Sequence, residues 1–165
     1  MIPKKILFCT DFSENSKPAQ HLACEYAKVF GASLMVVHVF THGFTGESSI
    51  YGDFARQTLA NEWALFDLAL KAAEDKAHKY LNQIADDCRK LGVEVKVCLR
   101  KGNPLKEIMS CAGEESADLI VLGTHGWTGF NRLLLGSTAE NVVRVATIPV
   151  LIVRSFLVQN ESEQP

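Results

Sequence analysis

Along the chain, short and nearly continuous apolar runs alternate with longer stretches in which apolar positions recur every three or four residues. The first pattern marks a strand buried on both faces, and the second a helix with one apolar side. "KKILFCT" predicts a buried strand beginning near Lys5, and "SLMVVHVF" a second one. Between them, residues 14–30 predict an amphipathic helix, because Ala19, Leu22, Ala23, Tyr26, Ala27 and Phe30 share one side. Ser13 is placed to cap this helix and Gly31 to stop it.

A long helix is predicted from about Leu59 to Leu91, with Phe66, Leu70, Ala73, Ala77, Leu81, Ile84, Cys88 and Leu91 on its apolar face. Gly92 ends it, and "VEVKVCL" follows as a strand. Its strict alternation sets Val93, Val95, Val97 and Leu99 on one face, the pattern of a less buried strand at a sheet edge. "GNP" then opens a helix running to about Ser116. Pro104 sits in its first turn, where the missing N–H costs nothing. "DLIVLG" is a fourth buried strand. "STAENVVRVA" predicts a short helix capped by Ser137, with Glu140 in the capping-box position, and "PVLIVR" is the last strand.

The resulting order, βαβαβαβαβ, predicts an open parallel α/β sheet of five strands with helices on both faces. Ligands in such folds bind beyond the carboxyl ends of the strands, at a topological switch point. Asp11, Val39, Gly102 and Gly123, which follow or close the first four strands, are therefore the positions to inspect first. Residues 41–58 form a polar, glycine-containing insertion that can serve as a lid, a dimer contact or a loop. Residues 155–165 form a polar tail.

At 165 residues the chain has room for one domain with a sizeable core. Its net charge of −2, with no basic run longer than two residues, supplies no general electrostatic reason to bind nucleic acid or an anionic membrane. No apolar run reaches membrane-spanning length, and the apolar run at the N-terminus is cut short by Asp11. The five cysteines form no Cys-x-x-Cys pair, which points to a reduced, cytoplasmic protein whose thiols pack as small hydrophobes. His21, His42 and His78 are scattered and propose no metal site, while His38, inside an apolar strand end, reads as a satisfied core histidine before a base.

One stretch stands apart. "VLGTHGWTGFNRLLLGST" carries four glycines in eighteen residues, from the end of the fourth strand to the start of the last helix. Small residues let backbone N–H groups approach a ligand, and the free N–H groups at a helix start favour an anion. No lysine lies in the stretch, so it is not a Walker A loop, nor is it a Gly-x-Gly-x-x-Gly fingerprint. On spacing alone it is either a phosphate cradle or a turn-rich loop leading to an ordinary helix cap.

The stretch resembles the C-terminal signature of the universal stress protein family, ATP-binding branch: Gly-x-x-Gly, nine residues, then Gly-Ser or Gly-Thr. Gly123 and Gly126, the nine residues Trp127 to Leu135, and Gly136-Ser137 match it. "TDFS", "HV", "KGNP" and "PVLIV" match in order as well, so the resemblance covers about residues 1–154 as one domain with the insertion inside it. It implies an adenine nucleotide alpha hydrolase-like, Rossmann-like sheet in the order 3-2-1-4-5. The ligand it implies is ATP or AMP, and Mg2+ can ride on a triphosphate although no carboxylate cluster demands it.

By the same resemblance Asp11 faces the ribose, its alternative role being a turn or cap. Val39 lines the adenine pocket, and Gly102 and Pro104 lie beside the nucleotide. Gly126, Gly136, Ser137 and Thr138 meet the phosphates, while Gly123 lets the chain pass closely. Thr10, His125 and Arg132 are further candidates. His125 either donates to phosphate or steadies its turn, and Arg132 either reaches the outer phosphates or is solvated surface. The resemblance implies a homodimer through the last strand, Val150–Val153. The function it implies is a stress-response or regulatory nucleotide binder with little or no hydrolysis, the alternatives being a slow ATPase or ATP-dependent switch, and a structural dimerising module with a vestigial site.

Overall fold

The computed structural model describes residues 2–41, 60–124 and 135–154. Five strands carry the fold: β1 (Lys5–Cys9), β2 (Ser33–Phe40), β3 (Val95–Lys101), β4 (Leu119–Gly123) and β5 (Val150–Val153). Between them run α1 (Lys17–Phe30), α2 (Ala60–Lys90), α3 (Pro104–Glu114) and α4 (Ser137–Val145). The sheet order is β3-β2-β1-β4-β5, the expected one, and every neighbouring pair is parallel. β3 lies at an edge, as its alternation predicts.

Two cores follow from the two faces of β1. Ile6 and Phe8 pack with α1 and α2, joined by Ala19, Ala23, Leu81, Ile84 and Cys88. Leu7 and Cys9 point to the other face, among Ile108, Cys111, Ala139 and Val142 of α3 and α4. Successive strand side chains alternate between faces, so a strand covered on both sides has to be apolar at every position. "ILFC" meets that demand, and Phe8 is fully buried.

Local chemistry differs from expectation at three points. Gly136, not Ser137, is the N-cap of α4, and no side chain caps the helix. No capping box forms, because Gly136 has no side chain and Glu140 stands four residues from it; Glu140 pairs instead with Arg144, whose guanidinium donates to it at 2.7 Å. Ser13 makes no side-chain cap either; its hydroxyl donates to Asp11 Oδ1 at 2.6 Å. Leu91, placed on the apolar face of the long helix, lies beyond its last turn and is 45% exposed.

The cysteines also divide in a way that spacing does not reveal. Cys24 of α1 and Cys88 of α2 are paired as a disulfide, their Cα atoms 5.6 Å apart and 64 residues separated in sequence. The expectation of five separate thiols therefore fails at this pair, while Cys9, Cys98 and Cys111 are free. Phe66, the insertion from residue 42 to 58, and the tail lie outside the described side chains.

Replacing Phe8 with Ala leaves a cavity at the centre of the sheet and is expected to cost about 3–5 kcal/mol, read as a lower midpoint in urea unfolding.

Candidate functional site

The crossovers from β1 and β4 leave the sheet in opposite directions, because β1 leads to its neighbour β2 and β4 to its neighbour β5. A cleft of about 440 Å³ opens there, within the usual size range of small-molecule sites.

The first wall is "TDFS". Thr10 is buried, and its N–H donates to the Val37 carbonyl at 3.0 Å. Its Oγ1 accepts from the Phe12 N–H at 3.0 Å and lies 3.1 Å from Ser16 Oγ. Asp11 Oδ1 accepts from both the N–H and the hydroxyl of Ser13, at 3.0 and 2.6 Å. This is an Asx turn, and it holds the carboxylate at the carboxyl end of β1. The turn role of Asp11 is thus real, and the residue also lines the cleft. Phe12 adopts φ of +62°, uncommon for a residue with a side chain, and its ring stacks on His38 with centroids 4.2 Å apart.

His38 places Nδ1 2.8 Å from the Thr10 carbonyl. A carbonyl only accepts, so Nδ1 carries the hydrogen and Nε2 is an acceptor in the neutral ring. Burial lowers its pKa from 6.5, against smaller raising effects of the Thr10 bond and the Asp11 charge. The histidine is a satisfied, neutral group at the cleft wall.

At the β3–α3 turn, Gly102 donates its N–H to the Phe40 carbonyl at 3.1 Å with φ of +137°. A side chain is strained at that angle, and a Cβ there would meet Glu107 Oε1 at 3.4 Å. Gly102 shapes the turn without lining the cleft, whereas Pro104 lines it. Asn103 caps α3, its Oδ1 accepting from the Lys106 N–H at 3.1 Å.

The opposite wall is built by Gly123, Thr124 and the start of α4. Thr124 donates its N–H to Val153 at 3.0 Å, and Gly136 donates to the Thr124 carbonyl at 2.7 Å. These bonds bring the strand end and the helix start together. Ser137, Thr138 and Ala139, the first residues of α4, line the cleft and have no capping side chain over them. Helix starts of this kind present N–H groups and a partial positive charge, which suits an anion.

The structure therefore brings together Thr10, Asp11, Val39, Pro104, Gly123, Gly136, Ser137 and Thr138. Gly126, His125 and Arg132 lie outside the described residues, as does Trp127. Val37, Ile108 and Leu122 add apolar wall that the motif reading omits. Ile108 was legible in part, standing one helical turn after Pro104, whereas Val37 and Leu122 look like ordinary core in a sequence.

Chemically, the cleft offers apolar walls, hydroxyls, one carboxylate and a helix start. The Cys9 thiol is pushed far above its ordinary value by burial, with Cys111 adding to it, so it is no nucleophile. Among the described residues no group of His, Cys, Asp and Glu side chains is arranged to hold a metal ion, and no helix is long and apolar enough to cross a membrane.

A doubly covered parallel sheet with a cleft at its switch point is the ligand-site arrangement of the open α/β proteins. Residues 3–154 match the model of the universal stress protein family, and the chain belongs to that family. Universal stress protein MJ0531 of Methanocaldococcus jannaschii is 34% identical over 151 residues, covering 92% of this chain and 82% of that protein. The structure of MJ0577 from the same organism superimposes with a TM-score of 0.70 at 29% identity, covering 94% of this chain and 99% of that one. A universal stress protein from Archaeoglobus fulgidus solved in complex with dAMP shares the fold, with a TM-score of 0.60 at 23% identity over 93% of this chain and all of that one (100%).

The His38 ring is expected to titrate below 6.5 in an NMR pH series. Because the folded chain binds this proton more weakly than the unfolded one, stability is complete above 6.5 and declines as pH falls toward the folded value. Urea midpoints above and below 6.5 should show that loss, and His38→Gln should remove its share of the slope.

Proposed function

We propose that the protein is an adenine-nucleotide-binding stress or regulatory module, holding ATP or AMP with little or no hydrolysis. The observation that carries this reading is the pairing, in one cleft, of an apolar wall with the uncapped start of α4. The base packs against Val37, Val39 and Ile108. Asp11 accepts from ribose hydroxyls, and the N–H and hydroxyl groups of Ser137 and Thr138 take the phosphates, joined by Gly126. His125 and Arg132 are further phosphate donors, and Mg2+ accompanies a triphosphate. The related structure with dAMP supports the choice of an adenine ligand.

Hydrolysis needs an oriented water and stabilisation of charge on the transferring group. Asp11, the one carboxylate among the described residues of the cleft, is assigned to the ribose and not to the outer phosphates, where an attacking water would have to be oriented. This favours a holder over an engine.

Nucleotide released from the purified protein by denaturation should be intact ATP or AMP; finding ADP that accumulates with incubation would favour the ATPase reading. Ser137→Pro tests the phosphate end. Gly136 already has φ of −60° and ψ of 147°, the conformation a residue before proline needs, and proline is tolerated as the first helical residue. The substitution removes one N–H and one hydroxyl while keeping the helix. Calorimetric titration should show at least about tenfold weaker binding, since hydrogen bonds to charged groups are worth about 1.5–3 kcal/mol. Unchanged affinity would refute the assignment.

The outer edge of the sheet carries a second part of the proposal. β5 is a half-buried apolar strand with one edge that no strand among the described residues pairs, and pairing with its copy across a two-fold axis covers it as a homodimer. Sedimentation at micromolar concentration should give a dimer, and Ile152→Lys should shift it to monomer.

A further inference from the structure

A cluster of thiols behind the cleft has no part in the proposed binding chemistry. Cys98 stands on β3 and packs on the face covered by α3, where Cys111 is fully buried. Cys98 is half-buried, and its thiol lies near enough to that of Cys111 for the two to act on each other electrostatically. Arg100, two residues along the same edge strand, donates from Nε to Cys98 Sγ at 3.1 Å. The other end of this guanidinium is anchored by Glu114, which is itself held by the Ser110 hydroxyl at 2.7 Å. A guanidinium fixed on the sulfur of a half-buried cysteine, with a second thiol packed on the same face, is the arrangement of a reacting and a resolving cysteine.

We propose that Cys98 is a hydroperoxide-reactive thiol and that Cys111 resolves it, closing a disulfide between β3 and α3. In the first step the Cys98 thiolate attacks one peroxide oxygen. The S–O bond forms, the O–O bond breaks, sulfur is oxidised by two electrons, and the departing hydroxide takes a proton to become water. In the second, the Cys111 sulfur attacks the Cys98 sulfenic acid. The S–S bond forms, the S–O bond breaks, and a second water leaves with the Cys111 proton. With hydrogen peroxide as the oxidant, the sum is two thiols and one peroxide giving one disulfide and two waters.

The roles are not interchangeable. Burial, with Cys98 close by, pushes the Cys111 thiol up to about 12, so free Cys111 is a poor first nucleophile. Its attack on an adjacent sulfenic sulfur is intramolecular and needs no access from solvent. Cys9 lies on the same face and is buried, with no guanidinium partner among the described residues, and Cys24 with Cys88 belongs to the opposite face. Neither competes for the first step. The proposal does not depend on nucleotide binding.

The test treats the full-length, reduced protein with stoichiometric hydrogen peroxide, blocks free thiols, and maps non-reduced peptides by mass spectrometry. A Cys98–Cys111 linked peptide is expected in the wild type. Cys111→Ala should instead leave a Cys98 sulfenic acid that dimedone traps, and Cys98→Ser should yield neither product. Arg100→Gln should slow alkylation of Cys98 by iodoacetamide at neutral pH by about tenfold, while circular dichroism stays unchanged. An unreacted Cys98, a first link made by Cys9, or a Cys98 sulfenic acid that persists in the wild type would each overturn the proposal.

Discussion

The rest of the structure depends on the double burial of β1. Its hydrogen bonds are satisfied on both sides, by β2 and by β4, and its side chains are covered on both faces. A strand so enclosed can contribute chemistry only where it ends. Everything polar that the chain offers from β1 is therefore concentrated in the residues just past Cys9. Because β4 is the other neighbour, its end supplies the facing wall. The cleft is a consequence of strand order before it is a consequence of any particular residue.

That logic explains how much was legible beforehand. The elements were readable because buried parallel strands leave an unmistakable run of apolar residues, and α1 and α2 keep a helical period. The switch point followed from element order. Asp11, Val39 and Gly123 could be named because they stand at strand ends, and Gly136, Ser137 and Thr138 because small residues open a helix there.

What stayed hidden was chosen by contacts across the sheet rather than along the chain. The capping role expected of Ser137 falls instead to Gly136, whose N–H is bonded to the Thr124 carbonyl at the end of β4, while within α4 itself Glu140 pairs with Arg144. The pairing of Cys24 with Cys88 spans 64 residues and leaves no mark in spacing. The Cys98 and Cys111 contact joins an edge strand to a helix thirteen residues on, across the packing interface. The roles of Val37 and Leu122 are likewise invisible, since a cleft wall and a core position ask for the same apolar side chain.

The bond from Gly136 to Thr124 has a consequence for how this protein can change. It fastens the two ends of the segment between them to the framework, so the sheet receives the same anchor points whatever that segment contains. Lengthening a loop with fixed ends costs little, about 0.6 kcal/mol for each doubling. The strands and helices therefore impose no length of their own on what joins Thr124 to Gly136, and any constraint on that length has to come from what the joining residues do.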